Sequence, residues 1–503
     1  MSPATLLQRH GLDETTAAAL LAYLQRQRWY GSRGRAVAGF EVEDVATLRH
    51  SAPAVLLVLA TIAYEDGGRE RYSLPIGIRP GPAAQFFDPE RVVHETGGEA
   101  GPAVVVDALG DPESSAAIWE LVAIGAALRT DAGELRFRGG GIAGGVDPGS
   151  IRPLGREQSN TSLVRDDREL LKWFRVVEDV RSPELEMTEA LHRAGFEHVP
   201  APLGVVEYLR PGAEAVLLAL VQPYLHNGTE GWALALTSLR DLYASADEDG
   251  AASEEAAMRR VEEQGATFLP ESARLGEVTA EMHLALASDR VPEAMRARPV
   301  TPALLGSWAD AMTRELDQLL AGSGAALEPL RECRAEVVAG FDALRGLGGG
   351  GLAIRVHGDY HLGQALRTDT GWTVLDFEGE PALGVAERRA LSSPLRDVAG
   401  MLRSLDYAAA AALSERTETD PERVEALRRQ GDAWAEANRR LFWGAYLARV
   451  GDHPLLPGSA EDALALRRAW ELRKAVYEVG YELGHRPDWV GMPLRFLLDG
   501  GRS

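Results

Sequence analysis

The 503-residue chain has a single cysteine and only two lysines. One thiol, at Cys333, excludes an intrachain disulfide and the usual cysteine-based zinc sites. No apolar stretch approaches the ~20 residues needed to cross a bilayer; the longest, such as 54–63, reads as a buried strand. The opening residues lack a basic segment followed by a hydrophobic one, so no secretory signal is expected. Positive charge is also short. Against 75 Asp+Glu stand 53 Lys+Arg, a formal net charge of −22, which argues against a general nucleic-acid or anionic-membrane binder. A nucleotide is not excluded, because one phosphate chain needs only a local site. With 45% hydrophobic and 25% charged residues, the composition is ordinary for a globular protein. A soluble, cytoplasmic chain of roughly three folding units is expected.

The shortage of lysine is itself a signal. Fifty-one of the 53 basic residues are Arg, so Lys172 and Lys474 mark positions where a compact ammonium on a flexible stem is wanted. Lys172 lies in the strand-like LLKWF, ahead of a helix expected over Pro183–Ala194 with Ser182 as N-cap and Pro183 at its first position. That helix offers Glu184, Glu186 and Glu189. A lysine on a strand held by a glutamate on the next helix is how kinases grip nucleotide phosphates. Glu184 and Glu186 differ by about 200° around a helix, so only one faces the strand; Glu186 is the choice. Upstream, the polar turn 155–163 has one glycine, so it is neither a kinase glycine-rich loop nor a P-loop. Its Gln158, Ser159, Asn160, Thr161 and Ser162 can still offer hydroxyls and N–H groups to phosphate oxygens.

The most informative segment is RVHGDYHLGQALRTDTGWTVLDFEGEP, residues 355–381. Asp359 is followed five residues on by Gln364, and twelve further on by Asp376 at the end of a strand-like stretch. Protein kinases place a base, a metal-binding amide and a metal-binding aspartate in this order, on a loop and a tight hairpin that converge at one point. Residues 393–400 then begin a helix whose Asp397 is expected to anchor the loop backbone. Too few residues separate Gly379 from Asp397 for a protein-kinase activation segment, which points to a small-molecule acceptor. Lys474 opens KAVYEVGYELGHRPDW, where Tyr477 and Tyr481 lie four apart with Glu478 and Glu482 beside them. Aromatic faces beside carboxylates suit a sugar.

Elsewhere the pattern predicts helices over 13–30, 115–129 and 273–287. Strands are expected over 53–64, 71–78, 102–108, 134–138, 154–163, 204–208 and 215–220. Most of the remainder is expected to be helical, with a β-rich insertion at 352–378.

Taken together, EQSNTS (157–162), HGDYHLGQ (357–364), DFEGEP (376–381), SPLRDVAGMLRS (393–404), KAVYEVGYE (474–482) and QRQRWYGSRGR (25–35) resemble the actinobacterial maltokinases, within the aminoglycoside-phosphotransferase-like kinase superfamily. The resemblance spans nearly the whole chain. It implies an α+β, bilobal protein-kinase-like fold, with a cap subdomain at 1–100, an intermediate subdomain and N-lobe at 101–224, and a helical C-lobe at 225–503. It also implies ATP-dependent, Mg²⁺-dependent phosphorylation of maltose to maltose 1-phosphate for α-glucan synthesis, and a possible complex with a maltose-producing enzyme. Asp359 is then the base and Gln364 and Asp376 the Mg²⁺ ligands. Lys172 and Glu186 become the phosphate lysine and its partner, the 157–162 turn a lid, and Gln222 and Tyr224 part of the adenine hinge. His357, His361, Glu378, Arg396, Lys474, Tyr477, Glu478 and Tyr481 would line the sugar side. The run 382–394 and Arg473, which stands where the family pattern has an acid, depart from that pattern. They keep glucosamine or an aminoglycoside as alternative acceptors.

Overall fold

A computed structural model describes residues 7–8, 11–96, 101–155, 160–249, 254–264, 268–322 and 324–500. The chain divides into two compact units, residues 1–186 with 201–226, and residues 187–200 with 227–503.

In the first unit the apolar run at 54–63 becomes the strand Ala54–Tyr64, inside an antiparallel sheet ordered Val37–Arg49, Ala54–Tyr64, Arg69–Pro80, Ala103–Asp107 and Val92–Thr96. Alternate side chains enter different cores. Leu56, Val58 and Ile62 pack with Leu20, Tyr23 and Leu24 of the helix Glu14–Arg26. Val55, Leu57 and Leu59 instead join Ile118 and Trp119 of the helix Pro112–Ile124. A strand covered on both faces has no polar side, which is why its sequence does not alternate.

A second antiparallel sheet runs in the order Ile151–Pro153, Asn160–Arg165, Glu169–Phe174, Val216–Pro223, Gly204–Leu209, Glu134–Gly139 and Ala127–Arg129. Just past Phe174 the chain crosses to the first sheet, where Val176–Val177 pairs with Arg69–Pro80. Two expectations change here. The helix predicted over 115–129 stops at Ile124, where Gly125 caps it, and 127–129 pairs as an edge strand instead. Of the strand predicted over 154–163, only the end lies in a strand, Asn160–Arg165; the strand before it, Ile151–Pro153, stops ahead of Leu154.

The second unit is mainly helical. Leu269–Ala287 packs along Pro421–Val450, and Leu395–Ser414 packs on both Pro421–Val450 and Ala460–His485. Trp434 lies at the centre of this core, stacked on Phe268 with ring centroids 5.4 Å apart, its indole N–H donating to Ser238. A three-stranded sheet of Thr229–Glu230, Ala365–Thr368 and Gly371–Val374 supplies the hairpin expected in the 352–378 insertion. Among the described residues no helix is long and apolar enough to cross a membrane.

Candidate active site

In the first unit, Lys172 lies directly opposite Ser162 on one side and Leu220 on the other. Cross-strand partners point to the same face, and Asn160, two residues before Ser162, shares it. The alternate residues Thr161, Leu171 and Trp173 face the buried side. Thr161 is therefore turned away from Lys172: its hydroxyl accepts a 2.8 Å bond from Arg175 Nε, while Arg175 Nη2 bonds Asp107 at 2.5 Å. Gln158 and Ser159 lie outside the described residues. The Lys172 ammonium sits 5.2 Å from the Phe174 ring centroid. On the helix Pro183–Ala194, Glu184 is 2% exposed, while Glu186 is less buried and lies 4.0 Å from Arg181. In the expected hinge, Gln222 is buried opposite Leu170. Pro223 has no N–H, and the Tyr224 N–H is already committed to Arg168 O at 2.7 Å.

In the second unit one carboxylate organises the loop. Asp397 accepts from the backbone N–H groups of His357, at 2.7 Å, and Gly358, at 2.9 Å. It is held on its other side by His283 Nε2 at 3.2 Å, and His283 Nδ1 meets Tyr446 OH at 3.0 Å. Burial alone would raise the Asp397 pKa. The hydrogen bond and charge of His283, with the Gly358 N–H, outweigh it and hold the carboxyl below its usual range. Gly358 adopts φ +86°. Gly400 lets the helix Leu395–Ser414 approach the loop, since a Cβ there would fall 2.5 Å from the Tyr360 carbonyl oxygen. His283 was not legible as a functional residue, being a lone histidine within an apolar helical stripe.

The loop delivers Asp359 next to Lys474, whose Nζ is 3.5 Å from Oδ1, and to His361, whose Nε2 is 3.9 Å from Oδ2. Burial lowers the His361 pKa; the Asp359 charge opposes this and Lys474 reinforces it. Lys474 Nζ also lies 4.6 Å from the Tyr477 ring centroid, and Tyr477 continues to Tyr481 with centroids 6.3 Å apart. Tyr481 is 43% exposed and stacks on His485. Gln364 ends a short 3₁₀ turn and donates from Nε2 to Asp376 Oδ2 at 3.3 Å; Asp376 takes φ +65°. The hairpin thus joins the two side chains expected to hold a metal. Among the described residues no group of three or more His, Cys, Asp or Glu could hold a metal ion.

Other sugar-side candidates have structural partners. His357 is buried, its Nε2–H donating to Leu375 O at 2.9 Å beneath the Phe377 ring. Glu478 is paired with buried Arg403 at 2.8 and 3.1 Å. Arg396 bridges Glu380, at 2.8 Å, and Gly358 O, at 3.4 Å. The Glu378 carbonyl accepts from Arg388 at 3.1 Å. Arg473, the departure noted in the sequence, binds Glu315 at 2.9 Å and approaches Glu380 at 3.6 Å.

Residues 23–111 match the maltokinase N-terminal cap domain. Over 356 residues the chain is 35% identical to a glucosamine kinase of Streptacidiphilus jiangxiensis, covering 68% of this chain and 72% of that one. Over 357 residues it is 31% identical to a glucosamine kinase of Mycolicibacterium smegmatis (strain ATCC 700084 / mc(2)155), covering 70% and 80%. A solved glucosamine kinase in complex with glucosamine, ADP and inorganic phosphate aligns over 95% of this chain and 98% of that one, with a TM-score of 0.61 and 26% identity. The fold and these relatives define a phosphotransferase of the sugar-kinase class. The chain belongs to the sugar-kinase family of these glucosamine kinases and carries a maltokinase-type N-terminal cap.

Proposed function

We propose that this sugar kinase transfers the γ-phosphoryl group of ATP to the anomeric hydroxyl of a neutral sugar, maltose, giving maltose 1-phosphate. The observation that carries the choice of a neutral acceptor is the Lys474 ammonium 3.5 Å from Asp359. An amino sugar would bring a second cation to the same carboxylate, and like charges in close contact are costly. Of the nearby carboxylates, Glu478 is paired with Arg403, and Glu380 is flanked by Arg396 and Arg473 through one oxygen, so an ammonium placed there would meet two guanidinium groups. The maltokinase-type cap at 23–111 supports the same reading.

In this reading Asp359 orients the acceptor hydroxyl and takes its proton as the oxygen bonds to the γ-phosphorus and the bond to ADP breaks. Lys474 steadies the Asp359 carboxylate, and Tyr477 and Tyr481 offer faces to the sugar rings. Lys172, with Asn160 and Ser162 on the same sheet face, holds phosphate oxygens. Asp376 and Gln364 supply one carboxylate and one amide oxygen, a donor set that suits Mg²⁺, which keeps several waters and shares phosphate oxygens. When bound, that ion neutralises charge on the phosphates. Catalysis then rests on positioning and electrostatics.

A second reading, glucosamine as acceptor, is supported by the glucosamine kinases to which the chain is 31–35% identical. ADP release from Mg²⁺-ATP, measured with maltose, glucose, glucosamine and an aminoglycoside, separates the two. Maltose is expected to give the highest kcat/KM. A preference for glucosamine over both neutral sugars would replace the first reading with the second.

A further inference from the structure

Two buried polar atoms beside the catalytic loop have no hydrogen-bond partner among the described residues: Glu380 Oε1 and the indole Nε1 of Trp470. Glu380 is 1% exposed and Trp470 6%. Both line one small cleft, together with Gly358, Arg396, Arg473 and Lys474. Buried donors and acceptors are almost always paired in native proteins, so two orphans in one cleft call for a partner.

The surroundings fix both groups. Glu380 Oε2 accepts from Arg396 at 2.8 Å and lies 3.6 Å from Arg473, so one edge of the carboxylate is bound by cations and the other is free. The Trp470 ring is held edge-on to Trp308, with centroids 5.5 Å apart. The free volume of the cleft is about 10 Å³, room for a single water-sized oxygen. An indole N–H can only donate and a carboxylate can only accept, whereas a hydroxyl does both. A single hydroxyl thus carries both the donor and the acceptor that these two atoms lack. An ammonium would satisfy only the carboxylate, and would meet Arg396, Arg473 and Lys474.

We propose that Glu380 Oε1 and Trp470 Nε1 form a one-hydroxyl pocket that binds a ring hydroxyl of the acceptor sugar. The hydroxyl donates to Glu380 and accepts from Trp470. The inference rests on the reading of Asp359 as the acceptor side of a sugar kinase, because Gly358 of the same loop lines the cleft. It makes both residues determinants of specificity for a neutral polyhydroxylated ring.

The test is Trp470→Phe, which removes the N–H and keeps an aromatic ring against Trp308. Steady-state kinetics of the full-length enzyme are compared with maltose and a set of singly deoxygenated maltoses. The expected result is a KM for maltose raised roughly five- to tenfold, with kcat and the KM for ATP within about twofold. In the wild type one deoxy sugar should be used poorly relative to maltose, and in Trp470→Phe that discrimination should vanish. An unmoved KM, with the wild-type ranking of deoxy sugars preserved, would overturn the proposal and leave the cleft as the seat of a structural water. The deoxy series on the wild type alone gives a second reading, independent of how well the variant folds: equal use of every analogue also overturns it. Should the wild type not turn over maltose at all, the acceptor reading fails separately. The same comparison is then made with glucosamine and its deoxy analogues.

Discussion

The Asp397 carboxylate accepts the backbone N–H of Gly358 at 2.9 Å, tying the first turn of the helix Leu395–Ser414 to the loop that carries Asp359. The tie holds the peptide that leads into Asp359.

Replacing Asp397 tests this tie. An asparagine can accept one of the two N–H groups but turns an N–H of its own toward the other. Asp397→Asn is expected to lose about 2–4 kcal/mol of stability at pH 7, read by urea denaturation. Because the native Asp397 pKa is depressed, its contribution is fully present above the unfolded carboxyl value near ~3.9 and is lost as pH falls through the lower native value. The gap between wild type and variant should therefore close as the pH drops below about 4.

Gly358 has φ +86°, and a Cβ there would come 3.4 Å from Gly379 Cα. Gly358→Ala is expected to cost about 1–2 kcal/mol from the left-handed backbone. It should also lower kcat at least tenfold by displacing Asp359. A variant with wild-type kcat would mean that the loop tolerates another path.

Asp359→Asn keeps the size and removes the proton acceptor. Turnover is expected to fall by roughly 10²–10⁴-fold, while nucleotide affinity, measured by calorimetry, stays within about twofold. Retained activity would remove Asp359 from the base role.

Lys474→Met removes the ammonium beside Asp359. The ratio of kcat/KM for glucosamine to that for maltose is expected to rise at least about tenfold, since the like-charge penalty disappears. An unchanged ratio would show that Lys474 does not govern acceptor charge.

Two glutamates compete as the partner of Lys172. Only one can face the strand, and Glu184 is the more buried. Glu184→Gln is expected to raise the KM for ATP by about tenfold or more and Glu186→Gln by less than about threefold; the reverse order would assign the role to Glu186, the choice the sequence suggests.

The sequence showed most clearly what is local. The helix Pro183–Ala194 came from its Ser182 cap and proline start, and the strand around Lys172 from its β-rich run. The loop carrying Asp359 and Gln364 came from spacing that chemistry constrains. The long strand Val37–Arg49 was missed because its exposed positions, including Glu41, break any apolar run. The pairing of Glu478 with Arg403 was equally hidden. Their partnership spans 75 residues, and nothing in helical spacing says which arginine a carboxylate will meet. The same applies to His283 and to the Glu380–Trp470 cleft, which exist only once distant helices have packed.

The most direct test of the account is the product itself. Wild-type enzyme incubated with Mg²⁺-ATP and maltose should consume the reducing end, giving a sugar phosphate whose phosphorus couples to the anomeric proton in ³¹P NMR. A product that keeps its reducing end, or phosphate transfer to glucosamine while maltose is left untouched, would contradict it.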